Sequence, residues 1–165
     1  MAAIICDKVI KALNYRIEQE EYSSRLYKAI GICMGYKGYL GAEKLFKKYS
    51  EEESTHASWA YNYQLSLDIK PITPVLKAPP ATFEGLVEVI TLAFKHELDI
   101  TKQCQELAKA CAVDHDYMTL TLAQKYLTEQ VEEIEKVTTL LDVLDAFGTS
   151  KEALFLFDNY LKTLV

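Results

Sequence analysis

The chain has 165 residues, half of them hydrophobic and a quarter charged, with a formal net charge of −6. That length suits one domain, residues 1–165, with a sizeable core, and the acidic balance argues against nucleic acid as a partner. No apolar stretch approaches the roughly 20 residues of a membrane span, and the N-terminal MAAIIC run meets Asp7 and Lys8 too soon to form the apolar core of a secretion signal.

Cysteine occurs at Cys6, Cys33, Cys104 and Cys111, with no CxxC pair. That argues against a thiolate zinc site and a thioredoxin-like motif. Cys104 and Cys111 fall on a core stripe and read as small buried apolar residues. This cysteine usage suits a reducing compartment, and the expected location is the cytoplasm.

The first helix, α1, is predicted over about 7–37 and ends in the glycine-rich stretch of Gly35, Gly38 and Gly41. Its core stripe holds Leu13, Ile17, Glu20, Ser24, Tyr27, Gly31 and Met34. The second, α2, follows over about 41–68, with a stripe of Ala42, Phe46, Tyr49, Glu53, His56, Ala60, Tyr63 and Leu67. All four prolines, Pro71, Pro74, Pro79 and Pro80, then lie in one segment. Proline is incompatible with a helix interior, so this segment is the main break in the chain.

Helix α3 is predicted over about 83–112, with Phe83, Leu86, Ile90, Ala93, Glu97, Ile100, Cys104, Leu107 and Cys111 on its stripe. Val113-Asp114-His115-Asp116 forms a turn in which Asp114 or Asp116 caps the next helix. Helix α4, over about 117–147, carries Ala123, Tyr126, Gln130, Glu133, Val137, Leu140, Leu144 and Phe147. Gly148 stops it, and Thr149 or Ser150 caps a short α5 over about 151–164. The expected fold is therefore all-α: a four-helix bundle of two hairpins, with a long proline-rich α2–α3 crossover and a short fifth helix.

The four seams are apolar except at mid-height, where each turns acidic: Glu20, Glu53, Glu97 and Glu133, with His56 beside Glu53. An unpaired buried carboxylate costs several kcal/mol or is neutralised. Four at one level point to cations between them, a dinuclear metal site inside the bundle. Glu53 and His56, three apart, share a helix face and reach one ion. Oxygen-rich ligation with one imidazole suits iron, manganese or zinc. Bridging carboxylates hold two ions about 3.5–4 Å apart. The first ion is expected among Glu20, Glu53 and His56. The second is expected among Glu53, Glu97 and Glu133, with Gln130 nearby and weaker binding for want of a histidine. His96 is expected to point off the core and Trp59 to be packing.

The runs EEYSSRLY (20–27), EEESTH (51–56), KHE (95–97) and TEQVEE (128–133) stand in the order and spacing of the bacterial non-haem ferritins, which the chain resembles over essentially its whole length. The short terminal helix is also a feature of that family. The resemblance implies a homo-oligomeric 24-subunit hollow shell. It implies ferroxidase activity at a di-iron centre, in which O₂ or peroxide oxidises two Fe(II) and ferric mineral is stored inside. On that pattern Glu20, Glu53 and His56 bind the first iron, and Glu53, Glu97 and Glu133 the second, with Gln130 close by. Tyr27 matches the family tyrosine beside the centre, an electron donor or organising group. Glu52, Glu129, Glu132 and Glu133 match the ligands of a third iron site.

Ser54 stands where bacterioferritins place a haem-ligating methionine, so no haem is expected. Lys136 stands where those proteins repeat the histidine, and Lys125 where some relatives carry an aromatic. The rival reading is a non-storage carboxylate-bridged di-metal oxidase or peroxidase. A rubrerythrin-like peroxidase needs a rubredoxin-type cysteine set that this sequence lacks, and an inert shell subunit would leave Fe(II) oxidation unaccelerated.

Overall fold

A computed structural model describes residues 5–165; the start of the MAAIIC run lies outside them. The helices are α1 (Asp7–Tyr36), α2 (Leu40–Ser66), α3 (Leu86–Val113), α4 (Tyr117–Phe147) and α5 (Lys151–Leu161), and a 3₁₀ turn, Lys162–Leu164, follows α5. No strand occurs among the described residues. Among the described residues no helix is long and apolar enough to cross a membrane.

The helix ends follow local chemistry. Gly38, at φ +89°, reverses the chain after α1, so that Tyr39 N–H reaches back to Met34 O at 2.9 Å. Asp116 caps α4 by accepting from Thr119 N–H at 2.9 Å, and Ser150 caps α5 through Ala153 N–H at 3.1 Å. Gly148, at φ +85°, ends α4. Helix α3 starts at Leu86 rather than near Phe83. Pro79 and Pro80 cannot feed a helix interior and Gly85 is a poor helix former. Phe83 still reaches the core from the loop, its backbone N–H 3.4 Å from Cys33 Sγ.

Contacts across the bundle fix its topology. Ser24–Ser50, Glu21–Tyr61 and Asn14–Gln64 set α2 antiparallel to α1. Cys33–Phe83, Tyr27–Glu97 and Arg16–Cys104 set α3 antiparallel to α1 as well. Helices α2 and α3 are thus parallel, and the chain between them must run the length of the bundle. It does so from Ile72, whose N–H meets Asn14 Oδ1, to Glu84, whose carbonyl accepts from Lys37. Helix α4 returns antiparallel to α3, with Gln130 against Glu97.

Helix α5 is fastened to the start of α2. Asp158 accepts from Gly41 N–H at 3.0 Å and Ala42 N–H at 2.9 Å, a carboxylate on a helix N-terminus. Gly41 is required there: a Cβ on it would lie 1.9 Å from Asp158 O. Phe157 and Leu161 close the core at this end.

The core is in two parts. One holds Leu26, Tyr27, Ile30, Met34, Phe46, Ile90, Leu140 and Phe157 among others, the second Leu13, Ile17, Ala60, Ile100, Cys104, Ala123 and Tyr126. Between them lies a layer of buried polar side chains.

Candidate metal centre

The predicted mid-height residues meet in that layer. Glu20 and Glu97 are 1% exposed, Glu53 and Glu133 4%, and His56 and Gln130 5%. Each is flanked along its own helix by core residues, so burial of the apolar stripe carries the carboxylates inward with it.

Glu20, Glu53 and His56 bring ligand atoms within 4.8 Å of one another, all three buried. His56 Nδ1 lies 3.2 Å from Glu53 Oε2 and 4.0 Å from Glu20 Oε2. Glu20 Oε2 is buried without a hydrogen-bond partner. A carboxylate oxygen in that condition is costly unless a cation takes it. The donor set, hard oxygens with one imidazole, fits iron or a similar first-row ion.

Arg16 was not legible as part of this layer. It is 1% exposed, and its Nε lies 2.7 Å from Glu20 Oε1. The contact is close but poorly aligned for a hydrogen bond, and Nη2 has no partner. Nη1 donates to Cys104 Sγ at 3.6 Å. Burial works against the Arg16 charge, but Glu20, joined by Cys104, Tyr126 and Glu53, outweighs it and raises the guanidinium pKa. The signal was present as an Arg–Glu pair at i,i+4 whose acidic member sits on the core stripe.

Glu97 is held from two sides. Tyr27 OH donates to its Oε1, and Gln130 Nε2 donates to its Oε2 at 3.1 Å and to its backbone carbonyl at 3.3 Å. Glu97 stands beside the Glu20–Glu53–His56 group but outside it. A second close group consists of His56, Glu129 and Glu133. His56 Nε2 lies 3.5 Å from Glu129 Oε1. Glu52 is partly buried, and Glu132 is exposed beside it on an open groove of about 570 Å³. Glu133 Oε1 accepts from Lys136 Nζ at 2.8 Å, and Glu52 Oε2 lies 3.5 Å from the same ammonium.

Burial, then the Glu20 and Glu97 charges, pushes Glu53 well above the ordinary carboxylate range. Burial raises Glu97 too, with the Tyr27 and Gln130 hydrogen bonds opposing it. Glu133 is pushed up to about 7 by burial, which outweighs its bond from Lys136. Tyr27 is raised well above its usual value by burial and then by Glu97. The layer therefore holds protons that a bound cation would release.

One neighbour differs from expectation, and Trp59 packs as expected. His96 turns inward: its Nε2 lies 2.7 Å from Ser23 Oγ and its ring packs edge-on against Tyr27 at 5.8 Å. Burial depresses its pKa to about 4, so it stays neutral and packs as an aromatic. Trp59 stacks near His56 at 4.7 Å and Tyr126 at 5.3 Å, with Lys125 Nζ 3.6 Å from its ring centroid.

A family model for the ferritin-like domain matches residues 10–147. The chain belongs to the ferritin family. It is 32% identical over 157 residues to the bacterial non-heme ferritin of Escherichia coli O6:H1, covering 95% of each chain. It is 29% identical to a probable bacterial non-heme ferritin-like protein of Haemophilus influenzae, covering 98% of each. Among solved structures it is similar to an open-pore ferritin from the hyperthermophilic archaeon Archaeoglobus fulgidus, with TM-score 0.93 and 26% identity, covering 97% of this chain and 98% of that one. The resemblance read from the four acidic runs and the fold expected from it therefore hold.

Proposed function

We propose that this ferritin-family chain, acting as one domain, oxidises Fe(II) at a di-iron centre within the bundle. The ferric product is stored as mineral inside a shell of 24 copies in the cytoplasm. The observation that carries this reading is the convergence of Glu20, Glu53 and His56, buried and with an unpartnered oxygen on Glu20. Fe(II) is the substrate. Glu20, Glu53 and His56 take the first ion, and Glu53, Glu97 and Glu133 the second. Two Fe(II) give up one electron each, and O₂ with two protons takes both to become H₂O₂; where H₂O₂ is the oxidant, it takes both electrons with two protons to become two waters.

The chain's own residues do the rest. Gln130 and Tyr27 hold Glu97 by its two oxygens, fixing its orientation before an ion arrives. Glu129 Oε1 lies 3.5 Å from His56 Nε2, a carboxylate beside the centre for arriving or departing iron.

The test is aerobic addition of Fe(II) to purified protein, following ferric absorbance and particle size. Fast oxidation on a large particle is expected. A small monomer that leaves oxidation at its buffer rate would overturn the proposal.

A further inference from the structure

We infer that Lys136 is a built-in cation at the groove side of the metal centre, and that its ammonium holds the Glu52–Glu133 pair in place of a third metal ion. The inference rests on reading the layer as a metal centre, and goes beyond it by denying a third ion to the pair.

Lys136 Nζ is 2.8 Å from Glu133 Oε1 and 3.5 Å from Glu52 Oε2. These carboxylates come from different helices, α4 and α2, and both face the one ammonium. Glu52 Oε2 is buried and has no hydrogen-bond partner, so the ammonium is the positive group that compensates it. Glu133 is 5% exposed at its side chain, while Lys136 is 36% exposed. Lys136 thus reaches inward from the groove and ends against a buried acid. An ordinary exposed ion pair is worth little, but this one is half inside the protein and its acidic member is not free to turn to water.

A metal ion shared by Glu52 and Glu133 would need both oxygens at about 2.0–2.6 Å. That position overlaps the space the ammonium holds, so ion and lysine exclude each other. The lysine has the advantage of its tether: it is always present at high local concentration. The four buried carboxylates, Glu20, Glu53, Glu97 and Glu133, already meet two fixed cations, Arg16 and Lys136. Each fixed charge lowers the number of metal charges the layer can accept. Glu133 also belongs to the His56–Glu129–Glu133 group, so the lysine separates that group from Glu52.

The test is calorimetric titration of the full-length protein with Zn(II), a redox-inert ion taken by the same ligands. K136M keeps the stem without the charge, and K136Q is a second variant should the first not fold. K136R keeps the charge. K48Q removes a lysine that lines the same groove but gives its ammonium to Leu164 O. K136M or K136Q is expected to bind one more Zn(II) per subunit than the parent, at least tenfold tighter than any further site of the parent, with K136R and K48Q like the parent. Equal stoichiometry in parent and K136M, or the same gain in K48Q, would overturn the inference while leaving the two-ion reading intact. No Zn(II) binding by any of the proteins would overturn both.

Discussion

Arg16 Nε lies 2.7 Å from Glu20 Oε1, and both side chains are sealed from water. A guanidinium one turn before the first candidate ligand gives Glu20 a permanent counter-ion on one oxygen and leaves the other facing His56. Without a metal ion, this pair is what makes the burial of Glu20 tolerable.

Replacing Arg16 with Leu removes that partner. Breaking a buried pair from one side costs about 3–5 kcal/mol, because the remaining charge is uncompensated. R16L is expected to lose that much stability without metal and distinctly less with Zn(II), since the ion then serves Glu20. Denaturant unfolding with and without Zn(II) measures both. Equal losses would show that Arg16 acts only by packing.

His56 and Gln130 are equally buried but stand in different relations to an ion. His56 turns its two ring nitrogens toward Glu20, Glu53 and Glu129, where an ion could take one of them, whereas Gln130 gives its N–H groups to Glu97 and Thr101. Q130A is expected to weaken metal binding by about 10–100-fold, the usual loss on removing an orienting partner. H56A should cost more, and at the first ion. Metal titration of the two variants distinguishes them; equal losses would contradict the division of roles.

The bundle was legible because its apolar stripes repeat at helical spacing over long helices. The acidic layer was legible because Glu20, Glu53, Glu97 and Glu133 break those stripes at matched heights. Arg16 escaped because a lysine or arginine beside a stripe ordinarily extends its head to water. It is drawn in by Glu20 on its own helix and by Cys104 across the bundle, a neighbour that no local pattern reveals. His96 was misplaced for the same reason, since Ser23 and Tyr27, which receive it, lie on another helix. Ser24, Tyr63 and Leu67 fell on the assigned stripes but are only partly buried, while Ser23 and Gln64 are buried instead. A one-residue drift of this kind accumulates when an integral spacing is imposed on 3.6 residues per turn.

Gly41 is the contact on which α5 depends. Its missing Cβ lets the Asp158 backbone approach the start of α2, and a backbone carbonyl cannot swing aside as a flexible side chain can. G41A is expected to destabilise the fold by about 1–3 kcal/mol, the usual cost of overpacking, and to weaken the docking of α5. Thermal unfolding and hydrogen exchange along 151–161 report the two effects. Unchanged exchange there would mean that α5 is held by Phe157 and Leu161 alone.

The buried carboxylates set the pH response of the metal-free protein. Glu53, Glu97 and Glu133 have folded pKa values above those of the unfolded chain, Glu133 at about 7. A raised folded pKa means that the native state binds more protons between the two values, so stability falls as pH rises through that window. The benefit of protonation is complete below about 4.5 and is lost, for Glu133, as the pH passes about 7. For Glu133 alone the loss is on the order of 3 kcal/mol, or roughly 6–12 °C in Tm for a chain of this size. A metal ion stabilises the ionised carboxylates instead, so the loaded protein should lack this decline and should release protons as it binds metal. Melting curves from pH 5 to 8 with and without Zn(II), alongside proton release on loading, measure both. Parallel curves for the two forms, with no protons released, would mean that the layer is ionised before any ion reaches it.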